Sequence, residues 1–114
     1  MEFYGKTLVF GMFDQKSRQP INKSMRISFY DTAGQEKYDA ITVAHYRKAM
    51  GALVVYSVSD RESFIAVDKW IAQIQENAGP LCQIILVANK TDLQQSKWQV
   101  SREEGEAKAT QYGF

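Results

Sequence analysis

Asp31, Gly34 and Gln35 stand together in the run Asp31-Thr32-Ala33-Gly34-Gln35-Glu36, and these residue types suit chemistry at a phosphate. A carboxylate at a strand end can hold the water shell of a Mg²⁺ ion. A glycine three positions on can bring a bare backbone N–H against a terminal phosphate. A side-chain amide beside it can orient an attacking water. The run follows Met25-Arg26-Ile27-Ser28-Phe29-Tyr30, which reads as a strand, so the carboxylate falls where such a loop needs it. An ordinary polar turn after a strand is the competing reading. Farther along, Ile84-Ile85-Leu86-Val87-Ala88 reads as a fully buried strand and runs directly into Asn89-Lys90-Thr91-Asp92. Alone, such a tetrapeptide says little, because it is common in turns. Its position after an apolar strand, and downstream of Asp31, gives it weight.

The first run resembles the switch II motif of Ras-type small GTPases, and Asn89-Lys90-Thr91-Asp92 resembles their guanine-reading N-K-x-D. Between them, His45-Tyr46-Arg47-Lys48-Ala49 and Gly51-Ala52-Leu53-Val54-Val55-Tyr56 are similar to the Rab pattern Y-R-x-A-x-G-A-L-x-V-Y. Asp60-Arg61-Glu62-Ser63-Phe64 and Trp70 continue the match, and Glu2-Phe3 resembles the residues after the switch I threonine. Tyr38-Asp39-Ala40-Ile41-Thr42, Ser57 and the 60–64 run are most similar to the Rab branch associated with cilia and hedgehog signalling.

The resemblance implies GTP or GDP bound with Mg²⁺, and hydrolysis of GTP in vesicle traffic. Asp31 would support the ion through water, Gly34 would meet the phosphate and Gln35 would position the attacking water. The Asp92 carboxylate would accept hydrogen bonds from N1–H and the 2-amino group of guanine, a pair adenine cannot supply. The Lys90 stem would lie along the base, and Asn89 would tie the loop. Phe3, Tyr30 and Tyr46 match an aromatic effector-facing cluster, with Tyr30 in place of the usual tryptophan. Exchange factors, GTPase-activating proteins and effectors are the implied partners. The family is cytoplasmic and cycles onto the cytoplasmic faces of membranes.

The sequence contains no G-x-x-x-x-G-K-[ST] phosphate loop. Gly5-Lys6-Thr7 imitates its last letters, but Leu8-Val9-Phe10 follows as strand. Also missing from the family pattern are the first strand and helix, the switch I threonine, the S-A-K loop, the last helix and a prenylation cysteine. The expectation is a partial small GTPase domain spanning 1–114, inactive alone and without a membrane anchor. In the family's sheet the missing first strand lies between the strands at 24–30 and 51–57. Its loss leaves two edges with unpaired backbone groups, costing about 1–3 kcal/mol apiece when buried. Those edges must collapse together or be filled by another segment. Two alternatives therefore stand beside the enzyme: a nucleotide-free interaction module, and a non-functional product.

Composition fits a globular protein rather than a nucleic-acid or membrane binder. Fourteen Lys and Arg face 13 Asp and Glu, so no charge excess draws a polyanion. The single cysteine, Cys82, excludes an internal disulfide framework and reads as a small core residue. His45, the single histidine, reads as a surface or packing residue, and Trp70 as packing.

The elements that must hold these residues are legible from periodicity. Residues 3–13 and 24–30 form an antiparallel hairpin around a loop at 14–23, and 38–50 contains a helix. Residues 51–57 read as a strand covered on both faces. Ser59 and Glu62 fit a capping box for a helix that carries Phe64, Val67, Ile71 and Ile74 inward and ends at Gly79-Pro80. Residues 82–88 form the next strand, and Ser101 with Glu104 caps a final helix whose charges from Arg102 to Lys108 read as a solvated face. The alternation predicts an α/β, P-loop NTPase-like doubly wound sheet with one antiparallel edge hairpin, incomplete at both ends.

Overall fold

Apolar residues dense enough to favour extended chain run through both early segments, and a computed structural model of the protein places them in a long hairpin. Residues 2–32 and 39–114 are described, in two units, Met1–Asp39 and Ala40–Phe114. In the first, β1 (Glu2–Phe13) pairs antiparallel with β2 (Pro20–Asp31), from Glu2 opposite Asp31 to Phe13 opposite Pro20. The connection is shorter than expected, because Asn22, Lys23 and Ser24 pair with Gly11, Phe10 and Val9. Polar side chains do not prevent strand pairing where the strand is open to water, as most of β2 is. Asp14 organises the turn. Its carboxylate accepts from the N–H groups of Lys16 (2.7 Å) and Ser17 (3.1 Å), and these bonds hold its pKa below the ordinary value. Gly5-Lys6-Thr7 lies within β1, as its sequence context requires.

The second unit begins with α1 (Asp39–Lys48), shorter at its C-terminal end than the expected 38–50 helix; Tyr38 lies outside the described residues. A parallel pair follows, β3 (Gly51–Ser57) and β4 (Gln83–Asn89), linked through α2 (Arg61–Asn77). Last comes α3 (Arg102–Tyr112). Val54, Tyr56, Val58, Phe64, Val67, Ile71, Ile74 and Val100 form the core, the four α2 residues being those expected from the helical spacing. Each such aliphatic or aromatic side chain contributes about 1.5–3 kcal/mol on burial.

Two covered faces are not what β3 has. Val54 and Tyr56 are buried, whereas Leu53 and Val55 are 59% and 51% exposed. On β4, Ile85 is 58% exposed and no residue is fully buried. An apolar run does not distinguish a strand covered on one face from one covered on both, and here α2 and α3 cover only one. β1 and β2 form one two-stranded sheet, and β3 and β4 another.

Helix ends follow local chemistry. The α2 cap is Asp60, whose carboxylate accepts from the Ser63 N–H at 3.2 Å, rather than a Ser59–Glu62 box. Ser59 is instead drawn to Ser57, its hydroxyl 2.9 Å from that of Ser57. At α3 the expected box is present: Ser101 accepts from the Glu104 N–H and Glu104 accepts from the Ser101 N–H. Gly113 closes the helix at φ 77°, a left-handed position suited to glycine.

The charged residues of α3 are not simply a solvated face. Lys108 donates to Asp68 at 2.7 Å and stands 4.8 Å from the Phe64 ring centroid. Tyr112 donates to the same carboxylate at 2.8 Å. Arg61 pairs with Glu104 at 2.6 Å. The long stems of Lys108 and Arg61 let charged heads reach across from one helix to the other. Trp70 packs on the core, as expected.

Between the helices and the sheet, the buried Tyr56 ring brings its hydroxyl against α3 where a Cβ on Gly105 would collide with it. Gly105→Ala should therefore lower stability by about 1–3 kcal/mol, although alanine favours helix intrinsically. Adding Tyr56→Phe should recover part of that loss, measured by urea melts of the single and double variants. A pH effect follows from the α2–α3 link. Hydrogen bonding from Lys108, then Tyr112, holds the Asp68 carboxyl below its ordinary 3.8. A depressed carboxyl stabilises the fold above its unfolded value, and that contribution is lost as pH falls through the lower folded value. The melting temperature should thus fall as pH drops from about 5 through the ordinary carboxyl value and below it, with a shallower fall in Asp68→Asn.

Candidate nucleotide-binding elements

β4 ends at Asn89 because the next residue turns the chain out of the sheet: Lys90 has φ 63°. The Asn89 side-chain carbonyl accepts from the Lys90 N–H at 2.9 Å, a local bond suited to a tight exit from a strand. Leu93 N–H donates to Lys90 C=O at 3.2 Å, closing a turn around Thr91 and Asp92. Lys90, Thr91 and Asp92 are exposed.

Both ends of the loop are fixed to one residue. Val58, 2% exposed, donates its N–H to Asn89 C=O at 3.1 Å. Its C=O accepts from the N–H groups of Gln99 (2.7 Å) and Val100 (3.1 Å). Within the loop, Trp98 Nε1–H donates to Leu93 C=O at 2.9 Å. The motif residues Asn89, Lys90 and Asp92 are thus presented outward from a loop tied to the core. Thr91 and Trp98 also line a cleft of about 430 Å³ between β4 and α3.

The other candidates lie on other elements of the chain. Asp31 is the exposed last residue of β2, opposite Glu2, in the first unit. Gly34 and Gln35 lie outside the described residues. Phe3 and Tyr30 are backbone partners in the hairpin register, while Tyr46 is a half-buried residue of α1 in the second unit, beside half-buried His45. Cys82 immediately precedes β4 and packs on the core, where burial pushes its thiol pKa up. That environment suits packing rather than nucleophilic chemistry.

Among the described residues there is no group of three or more His, Cys, Asp or Glu able to cage a metal. A single strand-end carboxylate such as Asp31 suits a hydrated Mg²⁺ held through water, which does not require a protein cage. No helix among the described residues is long and apolar enough to cross a membrane. Val58 and Trp98 are absent from the motif reading. Val58 acts through its backbone, which no side-chain pattern reveals; for Trp98, an amphipathic ring shortly after the motif is the one available signal.

The sequence model of the Ras family matches residues 2–114. Among curated relatives, the Ras-related protein Rab-11B of Dictyostelium discoideum is 43% identical over 102 residues, covering 89% of this chain and 46% of that protein. The Ras-related protein RAB1BV of Beta vulgaris is 44% identical, covering 81% of this chain and 43% of its own length. The GTP-binding protein Rab-3D of Rattus norvegicus is also 44% identical, at 82% and 42% coverage. The chain spans less than half the length of these relatives. It belongs to the Ras family, and the relatives it resembles are Rab proteins of that family.

Proposed function

We propose that the whole protein is a Rab-type molecular switch that binds GTP and GDP with Mg²⁺ and hydrolyses GTP in vesicle and membrane traffic. The observation that carries this reading is the loop after β4, which presents Asn89, Lys90 and Asp92 from an anchored base. The Asp92 carboxylate has no protein partner among the described residues and is exposed to a ligand. Its two oxygens match N1–H and the 2-amino group of guanine. Lys90 lies along the base and Asn89 holds the turn.

At the other end of the nucleotide, Asp31 supports a hydrated Mg²⁺, Gly34 offers its N–H to the terminal phosphate, and Gln35 orients water for attack. Phe3, Tyr30 and Tyr46 are candidate effector contacts, and exchange factors and GTPase-activating proteins are the regulators the family implies. The similarity of the 38–42 and 60–64 runs to the cilia-associated branch supports a role there. The family's cycling between cytoplasm and the cytoplasmic faces of membranes supports the same localisation for this protein.

A second reading is a nucleotide-free interaction module. It is favoured by the sheet face of Leu53, Val55 and Ile85, which is open to a partner.

Titration of the purified protein with GTP and Mg²⁺, with melting followed in parallel, separates the two. The switch requires saturable binding and a melting temperature that rises with ligand; no binding favours the module. Asp92→Asn should weaken GDP binding at least about tenfold, since it loses an acceptor and places a donor against the 2-amino group. The same variant should gain affinity for xanthosine diphosphate, whose 2-oxo group accepts that donor. Unchanged GDP affinity in Asp92→Asn would remove the base-reading role.

A further inference from the structure

Trp98 stands outside the family motifs, yet its one polar atom is directed at the residue that follows Asp92. The indole N–H donates to Leu93 C=O at 2.9 Å, while the ring packs against the buried core. The Leu93 N–H is engaged too, with Lys90 C=O at 3.2 Å. Both polar groups of the Leu93 backbone are therefore held, one by the turn and one by Trp98. The Trp98 backbone is itself fixed, with its N–H on Gln95 C=O at 3.0 Å and Gln99 and Val100 next in line on Val58. Core, indole, Leu93 and Asp92 form a short chain of contacts ending at the exposed carboxylate.

We propose that Trp98 is a positioning residue for base recognition: it clamps Leu93 so that both oxygens of Asp92 are held for a two-point contact. The inference rests on the reading of Asp92 as the guanine acceptor. A bidentate contact needs both acceptor atoms placed at once, so it depends more on loop order than a single hydrogen bond does. Without the clamp, Asp92 can still turn one oxygen to N1–H. Holding the second oxygen on the 2-amino group then requires ordering the loop at the moment of binding. Trp98 thus acts on selectivity for guanine over hypoxanthine, which lacks the 2-amino group, more than on total affinity.

The test compares GDP with inosine diphosphate on the unaltered protein and on Trp98→Phe, which keeps a ring against the core and removes the donor. Trp98→Tyr serves as a second variant. Hydrogen exchange of the 90–93 amides and thermal melting are followed for each. The expected result is a GDP-to-inosine-diphosphate preference reduced about threefold to tenfold in Trp98→Phe, the scale of one hydrogen bond. Inosine diphosphate affinity should change less than twofold, a scale set by the N1–H contact that remains. Exchange should accelerate at 90–93 with little change elsewhere.

A preference that survives Trp98→Phe, with unaltered exchange at 90–93, would overturn the assignment while leaving the nucleotide reading intact. Absence of any GDP preference in the unaltered protein would instead overturn the nucleotide reading and the base-positioning role with it. Loss of folding in both variants would make Trp98 a core residue and also reject the proposal.

Discussion

The peptide groups of Val58 carry the geometry on which the second unit's outward-facing loop depends. One N–H and one C=O, both in a residue that is almost wholly buried, gather the end of β4 and the approach to α3. Buried backbone groups must be paired, so this junction strongly resists rearrangement. With both ends of the 89–100 segment held at one point, the residues between them are confined to a compact excursion. Its form is then set by local bonds at Asn89, Lys90 and Leu93. The exposed residues of the loop need no burial of their own, because the rigidity comes from beneath them.

The helices reinforce that base from the other side. Asp68, Lys108 and Tyr112 join α2 to α3, and Arg61 and Glu104 join them near their N-terminal ends. Surface pairs of this kind are individually weak. Their arrangement about the Phe64 ring nevertheless fixes how α3 lies, and Gly105 lets the Tyr56 hydroxyl approach it closely. Sheet, helices and loop are coupled through side chains that no catalytic motif would single out.

Much of this organisation was legible in the sequence, for identifiable reasons. The apolar spacing of Phe64, Val67, Ile71 and Ile74 sets the buried face of α2, and the Ser101–Glu104 pairing marks the start of α3. Both are properties of short stretches of chain. The coverage of β3 and β4 was not legible, because Val, Ile and Leu in succession satisfy either one buried face or two. Asp60 displaced the expected Ser59 cap because Ser59 found a neighbouring hydroxyl in Ser57, a competition decided by how the strand meets the helix. At the candidate site, Asn89, Lys90 and Asp92 could be named from their order alone. The anchors Val58 and Trp98 could not, since one acts through backbone and the other through a distant carbonyl.

The left-handed backbone of Lys90 subjects this position to two independent constraints. The proposed base contact asks for a long side chain, while the backbone disfavours branching at Cβ. Glycine or asparagine would preserve the path of the chain and remove the stem. Valine or isoleucine would disturb the path as well, and arginine would keep both length and path while replacing a compact ammonium with a planar fork. Shape tolerance and ligand tolerance therefore part company at a single residue, and sequence variation at position 90 carries two separable records: one of how the chain turns, the other of what lies against it.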